Sequence, residues 1–336
     1  MKPLRVIIVG ATGLVGNTLI KVLEERDFPL TDLRLLATAQ SAGKKLRFKG
    51  EFIEVLPVSL KLLKGDLIFF SGGDNASYEY GWKAVKQGAL VVDNSSTFRL
   101  SPEVPLVVPE VNSASLSNHK GLIANPNCTT IQLVIALAPI HFNLGLSRVI
   151  VTTFQSVSGS GREAVEELKQ QSIAFLNNYE LPPHFYPHPI AFNLLPQIGD
   201  FDKEGYSQEE LKVINETRKI LSVANLPITA TCVRVPVFQG HSEEVIVETQ
   251  KDFSLEDVKT LLSNVSGVKL LDNPWKCVYP LPRKVVGTND VYIGRIRKDN
   301  SASRSLHLWV VADNLRVGAA TNAIKIAEEL IKRGDL

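Results

Sequence analysis

The sequence predicts an α/β protein with a doubly wound, Rossmann-like N-terminal domain and an α+β domain after it. Three observations carry this prediction. The chain has 336 residues, enough for two domains. Short apolar runs alternate with helical periodicity up to about residue 127. Beyond the helix predicted at 129–143, longer strands with an alternating pattern dominate, which favours a largely antiparallel sheet.

The first half contains strand and helix signals in regular alternation. The runs LRVIIVG, LRLLAT, DLIFFSGG and ALVVDNSS are short and apolar, as strands buried on both faces of a parallel sheet should be. Between them, GNTLIKVLEERDF places Leu19, Val22 and Leu23 on one helical face, and SYEYGWKAVKQG is a helix that ends at Gly88. This order is typical of a doubly wound domain.

The second half changes character. RVIVTTFQSVSG predicts a long strand, REAVEELKQQSIAFL an amphipathic helix, and the Pro- and His-rich stretch after it a loop. SQEELKVINETRKIL is a helix with its N-cap at Ser207, and four further strands follow. A last helix, at about 318–333, is apolar on one face. We expect a nucleotide domain over 1–127, a catalytic and dimerisation domain over 128–315, and a C-terminal helix (about 316–336) returning to the first domain.

Composition excludes several classes of protein. The hydrophobic fraction of 44%, the charged fraction of 21% and the net charge of +2 are those of an ordinary globular protein, without a nucleic-acid-binding surface or a polybasic membrane patch. The N-terminus does not resemble a signal peptide, and no apolar span is long enough for a membrane helix. The three cysteines are too scattered for a disulfide framework, so we expect a cytoplasmic location.

A glycine loop after the first strand predicts a dinucleotide site. Gly10, Gly13 and Gly16 form a G-x-x-G-x-x-G pattern that leads into a helix, where backbone N–H groups and the helix dipole favour a pyrophosphate. The second strand ends in TAQSAGKK, without the Asp or Glu that usually binds the ribose of NAD. NADP is therefore the favoured cofactor, although Lys44 and Lys45 could equally lie in a solvated turn.

The stretch NPNCTT predicts a reactive cysteine. Pro126 and Asn127 mark a turn, so Cys128 lies at the start of the next helix, where the helix dipole lowers a thiol pKa. Cys128 is then a nucleophile, and with a nucleotide domain it suggests hydride exchange with an acyl thioester. From this stretch alone, a small core cysteine after a turn is the alternative.

A proton shuttle is needed beside such a thiol, and His241 is the best of the six histidines. It lies in GHSE, in a turn between two strands. His184 and His188 have the spacing of metal ligands, but no further ligands support them, so we expect no metal.

These motifs together resemble aspartate-semialdehyde dehydrogenases of the shorter bacterial type. GATGLVG, DNSSTFR, NPNCTTIQ, QSVSGSG, ATCVRVPV, GHSE and WVVADNLRVGAATNAI occur in that family in this order and span nearly the whole chain. The resemblance implies NADPH-dependent reductive dephosphorylation of L-aspartyl 4-phosphate to L-aspartate 4-semialdehyde and phosphate, through a cysteine thioester. It further implies a role in lysine, diaminopimelate, methionine and threonine biosynthesis, and a homodimer or a tetramer of dimers.

The resemblance also implies a role for individual residues. Cys128 corresponds to the nucleophile, His241 to the acid/base and Gln155 to the residue that orients the substrate. Arg234 matches the residue that binds the α-carboxylate. The remaining matches are to substrate contacts at Arg99 (phosphate), Asn127, Glu216 (amino group) and Lys219 (phosphate), and to cofactor contacts at Gly10, Thr12, Gly13, Leu14, Val15, Gln40, Ser41, Ser158, Gly159 and Asn314.

One departure and two alternatives remain at this point. Many members of the family have an arginine where this chain has Gln40, so the strength of the NADP preference is open. An N-acetylglutamyl-phosphate reductase-like enzyme is one alternative, which Arg234 and the Glu216–Lys219 pair disfavour. The other is a non-catalytic NADP-sensing protein, which the presence of Cys128 and His241 disfavours. We also expect the open face of the second sheet to form a dimer interface.

Overall fold

The computed structural model describes residues 3–336, which form two compact units. One unit contains the chain up to Asn127 together with Ala319–Leu336, and the other contains Cys128–Gly318. Within the described residues, no helix combines the length and apolar character needed to cross a membrane.

The regular elements alternate in the first part of the chain and become strand-rich in the second. The first part contains β1 Leu4–Val9, α1 Leu14–Glu25, β2 Leu30–Ala37, β3 Lys45–Phe48, β4 Glu51–Pro57, β5 Leu67–Phe70, α2 Asp74–Val85, β6 Leu90–Asp93, α3 Pro109–Asn112 and β7 Leu122–Ala124. The second part contains α4 Cys128–Leu144, β8 Leu146–Ser156, α5 Arg162–Leu176, α6 Gln208–Leu221, β9 Ile228–Val235, β10 His241–Thr249, α7 Leu255–Ser263, β11 Val268–Leu270, α8 Pro282–Val285, β12 Val291–Lys298, β13 Ser305–Ala312 and α9 Thr321–Arg333.

The first unit is built on a seven-stranded sheet with the order β3-β4-β2-β1-β5-β6-β7. All neighbours pair in parallel except β3 and β4. The strand order reverses at β1, which lies between β2 and β5. Such a switch point places a crevice at the carboxyl ends of the central strands, where ligands of doubly wound sheets bind. The predicted Rossmann-like class is confirmed.

The hairpin formed by β3 and β4 was not predicted from the sequence. Its turn is Lys49-Gly50, and both residues have positive φ angles of 46° and 88°. Two such residues in succession are what a type I′ hairpin turn requires. A lysine is unusual at the first position of such a turn, so the turn signal in the sequence was weak. Both strands lie mostly at the surface, so their apolar pattern was weak as well.

The C-terminal helix α9 belongs to the first unit. It packs against α1, α3 and β6 through an apolar face that includes Ile324 and Ala327. On its polar side, Glu328 accepts two hydrogen bonds from the Arg26 guanidinium, at 2.6 and 2.7 Å. A bidentate pair of this kind also fixes the orientation of a helix.

The second unit is built on a six-stranded sheet with the order β11-β12-β13-β10-β8-β9. The β8–β9 and β11–β12 pairs are parallel and the other three are antiparallel, so the sheet is largely antiparallel, as predicted. Helix α4 packs on the strands of one face and also contacts α6 and α7. Nearly all of its residues from Thr129 to Ile140 are buried, which makes α4 the central helix of this unit.

The opposite face of this sheet carries large side chains that are partly exposed. Phe154 and Trp309 lie ring to ring, with centroids 5.7 Å apart. On the same face, Glu244 contacts Arg297 at 3.3 Å and the Nδ1 atom of His307 at 2.6 Å. A partly exposed face of mixed apolar and paired charged groups is typical of a surface that meets a partner.

Candidate active site

Cys128 is the first residue of the 17-residue helix α4. Its side chain is partly exposed, and its sulfur lies 3.2 Å from Nε2 of His241. A helix start favours negative charge, and a neighbouring imidazole N–H stabilises a thiolate further. The geometry thus makes Cys128 the candidate nucleophile and His241, 113 residues away in sequence, its candidate partner for proton transfer.

His241 is the first residue of β10 and is completely buried. The backbone N–H of Ser156 donates to its Nδ1 atom at 3.1 Å, so the neutral ring carries its proton on Nε2, directed at the sulfur. Burial, and next the charge of Arg234, lower the pKa of His241 to about 3, while Glu209 opposes them weakly. The imidazole is therefore neutral near pH 7.

Arg234, in β9, lies close to His241. It is buried, and its Nη1 donates to the carbonyl of Ser156 at 2.8 Å. Gly159 marks the space beside it, because a Cβ atom there would lie 3.0 Å from Nη1 of Arg234 and 3.2 Å from Nε2 of His241. A glycine keeps this space open next to a buried cation that is suited to a carboxylate.

Gln155, near the end of β8, has both ends of its amide engaged. Its Nε2 donates to Glu209 of α6 at 3.0 Å, and its Oε1 accepts from the hydroxyl of Thr153 at 3.2 Å. Because a carboxylate only accepts, Glu209 determines which way the amide faces. The side chain is thereby held in one orientation.

Glu216 and Lys219 lie one turn apart on α6, as their spacing predicts. Glu216 is buried, and Lys219 is about half-buried with a pKa lowered by burial, against which Glu216 acts in the opposite direction. Helix α6 begins with a complete capping box between Ser207 and Glu210, which fixes its first turn.

Ser158 and Asn314 lie together in the second unit. Asn314 Oδ1 accepts from the hydroxyls of Ser156 and Ser158, each at 3.2 Å, and from the N–H of Gly240 at 2.9 Å. Since Ser156 also contacts His241, this cluster connects two predicted cofactor residues with the catalytic pair.

Gly318 packs directly on Cys128. A Cβ atom added there would lie 2.8 Å from Cβ of Cys128 and 3.1 Å from its Cα and carbonyl oxygen. No role for Gly318 was predicted, because a contact between residues 128 and 318 has no local signal in the sequence.

In the first unit, the glycine loop has the close packing that its pattern predicts. Gly10 has a φ of 84°, and a Cβ there would lie 2.5 Å from the N atom of Gly72. A Cβ on Gly16 would lie 2.2 Å from the carbonyl of Gly10. The tight turn brings Thr12 to Ser41, whose hydroxyl oxygens are 3.3 Å apart. These residues fit a dinucleotide, because the backbone at the start of α1 is left without side chains over it.

The structure also describes the positions of the other predicted residues of the first unit. Leu14 and Val15 begin α1, Gly13 precedes it, and Gln40 is exposed within a single 3₁₀ turn over Ala39–Ser41. Arg99 and Asn127 are both buried. The Arg99 guanidinium donates to the carbonyls of Asn125 at 3.0 Å and Asn94 at 2.8 Å, which hold it in place.

A nucleotide-type sheet in one unit and a cysteine–histidine pair with a buried arginine in the other define a cysteine-dependent semialdehyde dehydrogenase. Family models agree with this class. Residues 5–119 match the semialdehyde dehydrogenase NAD binding domain, and residues 137–317 match the semialdehyde dehydrogenase dimerisation domain.

Full-length relatives identify the family. The chain is 50% identical to the aspartate-semialdehyde dehydrogenase of Aquifex aeolicus and 49% identical to that of Bacillus subtilis, covering 98% of each pair of chains. The crystal structure of aspartate semialdehyde dehydrogenase II from Vibrio cholerae, complexed with ASA, is 41% identical, with a TM-score of 0.95 over 99% of both chains. The chain belongs to the aspartate-semialdehyde dehydrogenases, and it is an oxidoreductase of amino-acid biosynthesis with an NAD(P)-binding domain.

Sequence reasoning missed several residues of this site. Ser156 orients His241 through a backbone N–H, which any residue would supply, so its identity gave no signal. Glu209 follows the N-cap Ser207 in SQEE, where an acid is expected for helix capping alone. Its contact with Gln155 could be found only from the fold.

Proposed function

We propose that this dehydrogenase converts L-aspartyl 4-phosphate to L-aspartate 4-semialdehyde and phosphate through a thioester on Cys128. The observation that carries the proposal is the 3.2 Å contact between the Cys128 sulfur, at a helix start, and Nε2 of a buried His241. A thiolate stabilised in this way attacks the acyl carbon, and the carbon–oxygen bond to phosphate breaks.

The catalytic steps of the protein itself follow from this geometry. Backbone N–H groups at the start of α4 stabilise the oxyanion that forms during attack. When bound, NADPH supplies the hydride that reduces the acyl group held by Cys128. His241, through its Nε2–H, stabilises the thiohemiacetal oxyanion that remains after reduction. The carbon–sulfur bond breaks as the C=O bond forms, which releases the aldehyde and the Cys128 thiolate. Gln155, oriented by Glu209, positions the substrate beside the sulfur.

Substrate recognition is proposed for four charged residues. Arg234 binds the α-carboxylate, because it is a buried planar cation beside the space that Gly159 leaves open. Glu216 binds the α-amino group, and Lys219 and Arg99 bind the phosphate. Asn127 lies next to the nucleophile in sequence and completes the substrate contacts. A carboxylate at this position suits a substrate with a free, positively charged amino group. An N-acetylated substrate has no such charge to pair with it.

Carboxylate binding at Arg234 also favours catalysis at His241. The charge of Arg234 is the second cause that holds the pKa of His241 down, after burial. A bound α-carboxylate neutralises this charge, so the pKa of His241 rises when substrate is present. The protonated form of the imidazole is then less unfavourable while substrate is bound.

We propose NADP as the preferred cofactor. Gly10, Gly13 and the start of α1 receive the pyrophosphate, and Ser41 meets the 2′ position where no Asp or Glu is present. A relative from Candida albicans, 25% identical with a TM-score of 0.77, was solved with NADP. Thr12, Leu14, Val15, Gln40, Ser158, Gly159 and Asn314 are proposed as further cofactor contacts.

A homodimer through the partly exposed face of the second sheet is proposed, with a tetramer of dimers as a further assembly. The support is the partly exposed face that carries Phe154, Trp309 and the Glu244 charge cluster, in a segment that matches a dimerisation domain. A cytoplasmic location is proposed because none of the three cysteines forms a disulfide within the described residues.

One assay tests the substrate proposal. Phosphate-dependent reduction of NADP is measured with aspartate semialdehyde and, in parallel, with N-acetylglutamate semialdehyde. We expect turnover with the first substrate and little with the second. Preference for the acetylated substrate would refute the roles of Arg234 and Glu216, and no turnover with either would favour a sensing protein.

A further inference from the structure

A second pair of side chains lies on the same helix and the same strand as Cys128 and His241. Gln132 follows Cys128 by four residues on α4, and Glu243 follows His241 by two residues on β10. Both side chains are completely buried. The Gln132 amide interacts with the Glu243 carboxyl. None of their four polar side-chain atoms makes a hydrogen bond of standard geometry within the described residues, and Gln132 is the polar group that acts on the Glu243 carboxyl.

The two pairs share one register between helix and strand. Four helical residues advance about 6 Å, and two strand residues advance about 6.7 Å. Cys128 and Gln132 therefore lie on one face of α4, and His241 and Glu243 on one face of β10, with nearly equal spacing. A contact between Gln132 and Glu243 sets how far α4 lies along β10, and hence the distance between the sulfur and Nε2.

The surroundings of Glu243 favour the protonated form of its carboxyl group. Its strand neighbour on β8 is Thr153, which is followed on β9 by Cys232. No cation appears among the groups that act on the Glu243 carboxyl, so burial raises its pKa well above the ordinary value. The thiol pKa of Cys232 is also raised, mainly by burial. A neutral carboxylic acid and a primary amide are complementary, because each has one donor and one acceptor to offer the other.

We propose that Gln132 and Glu243 form a neutral acid–amide pair that positions Cys128 against His241. The proposal rests on the assignment of Cys128 and His241 as the catalytic pair. Glu243 and Gln132 are positioning residues, because they act through the helix and the strand and touch no substrate. An unmade polar contact in the interior is costly, so the pair resists sliding of α4 along β10.

The test compares variants that keep the complementarity with variants that remove it. Glu243→Gln keeps a donor and an acceptor, and we expect kcat within about threefold of the parent enzyme. Glu243→Leu removes both, and we expect a fall of roughly tenfold or more in kcat, since a small misplacement of reacting groups has this effect. The KM for NADP should remain within about twofold in both variants, because an interior register change is not a loss of uniform cofactor binding.

A reciprocal exchange makes the test independent of folding losses. Gln132→Glu alone places two carboxyls face to face and should impair kcat. Combining it with Glu243→Gln exchanges the acid and the amide, and activity should return to within about threefold of the parent enzyme. Glu248→Gln, at the far end of β10 where Glu248 pairs with Arg148, is the matched control and should behave like the parent.

The pH dependence of Cys128 alkylation by iodoacetamide reports on the contact between the sulfur and His241 in the absence of substrate. In Glu243→Leu, the midpoint pH of alkylation should rise, because the sulfur is less well stabilised by His241. The infrared carbonyl band of a protonated carboxyl should be present at pH 7 and absent in Glu243→Gln. If alkylation follows these expectations while aspartate semialdehyde is not turned over, the pair stands and the assigned reaction fails.

Three results would overturn the proposal. Glu243→Leu could lower the melting temperature with an unchanged alkylation profile and kcat, which would make Glu243 an ordinary core group. Glu243→Gln could lose as much activity as Glu243→Leu, which would mean that the carboxyl acts through its charge. The double exchange could fail to restore what Gln132→Glu alone removes, which would show that the two side chains do not act as a pair.

Discussion

Replacing Gly318 with alanine should displace the nucleophile. The added Cβ would lie 2.8 Å from Cβ of Cys128, whereas ordinary contact begins at 3.4 Å, so one backbone must move by at least about 0.6 Å. The Cβ atom of Cys128 cannot be moved by a rotamer change, and the backbone Cα and carbonyl oxygen of Cys128 would lie only 3.1 Å from the added atom. The 3.2 Å contact between the sulfur and His241 is the contact that changes.

The expected loss can be scaled from this displacement. A misplacement of about 1 Å costs about a hundredfold in rate, so we expect Gly318→Ala to lower kcat by roughly ten- to a hundredfold. The KM values should change little, and the midpoint pH of iodoacetamide reaction at Cys128 should rise. Val317→Ala, a buried neighbour that loses volume without adding an atom, is the control for stability alone. A variant with normal kcat and an unchanged alkylation profile would refute the reasoning.

Four further outcomes are expected. Cys128→Ser should retain its fold and lose turnover by several orders of magnitude. In the parent enzyme, iodoacetamide should label Cys128 before Cys232 or Cys277, and earlier labelling of Cys232 would exclude Cys128 as the nucleophile. Arg234→Leu should raise the KM for aspartate semialdehyde strongly and that for phosphate less, because removing one partner of a buried charge pair costs about 2–5 kcal/mol. Arg99→Leu should show the opposite bias, and equal effects would contradict both roles. Gln40→Arg should lower the KM for NADP more than that for NAD, by about ten- to a hundredfold, with kcat nearly unchanged, because arginine adds charge-assisted hydrogen bonds; an unaltered cofactor ratio would show that Gln40 does not face the 2′ position. The pKa of His241 is lowered from 6.5 to about 3, so between these pH values the unfolded chain binds one more proton than the folded chain. The free energy of unfolding should therefore fall as pH drops through this window, by up to about 1.4 kcal/mol per pH unit. His241→Gln should remove that part of the pH dependence in denaturation curves at fixed protein concentration.

The sequence by itself determined the fold class and indicated Cys128 as the candidate nucleophile. Local signals were sufficient where a residue type has one physical use, as with the glycines before α1, the turn before Cys128 and the N-cap at Ser207. Strand and helix periodicity was enough to separate a parallel from a largely antiparallel sheet. The hairpin of β3 and β4 escaped because its signals were weak on both strands.

Only the tertiary structure decided which groups meet. The contact of Cys128 with His241 spans 113 residues, and the packing of Gly318 on Cys128 spans still more, so no spacing in the sequence encodes either. The buried acids are the clearest case. Glu209 and Glu243 look in the sequence like surface residues of a helix start and of a strand. The fold removes both from water and gives each an amide as its counterpart, Gln155 for Glu209 and Gln132 for Glu243. Burial and a specific neighbour decide what a carboxyl does, and both are properties of the folded chain.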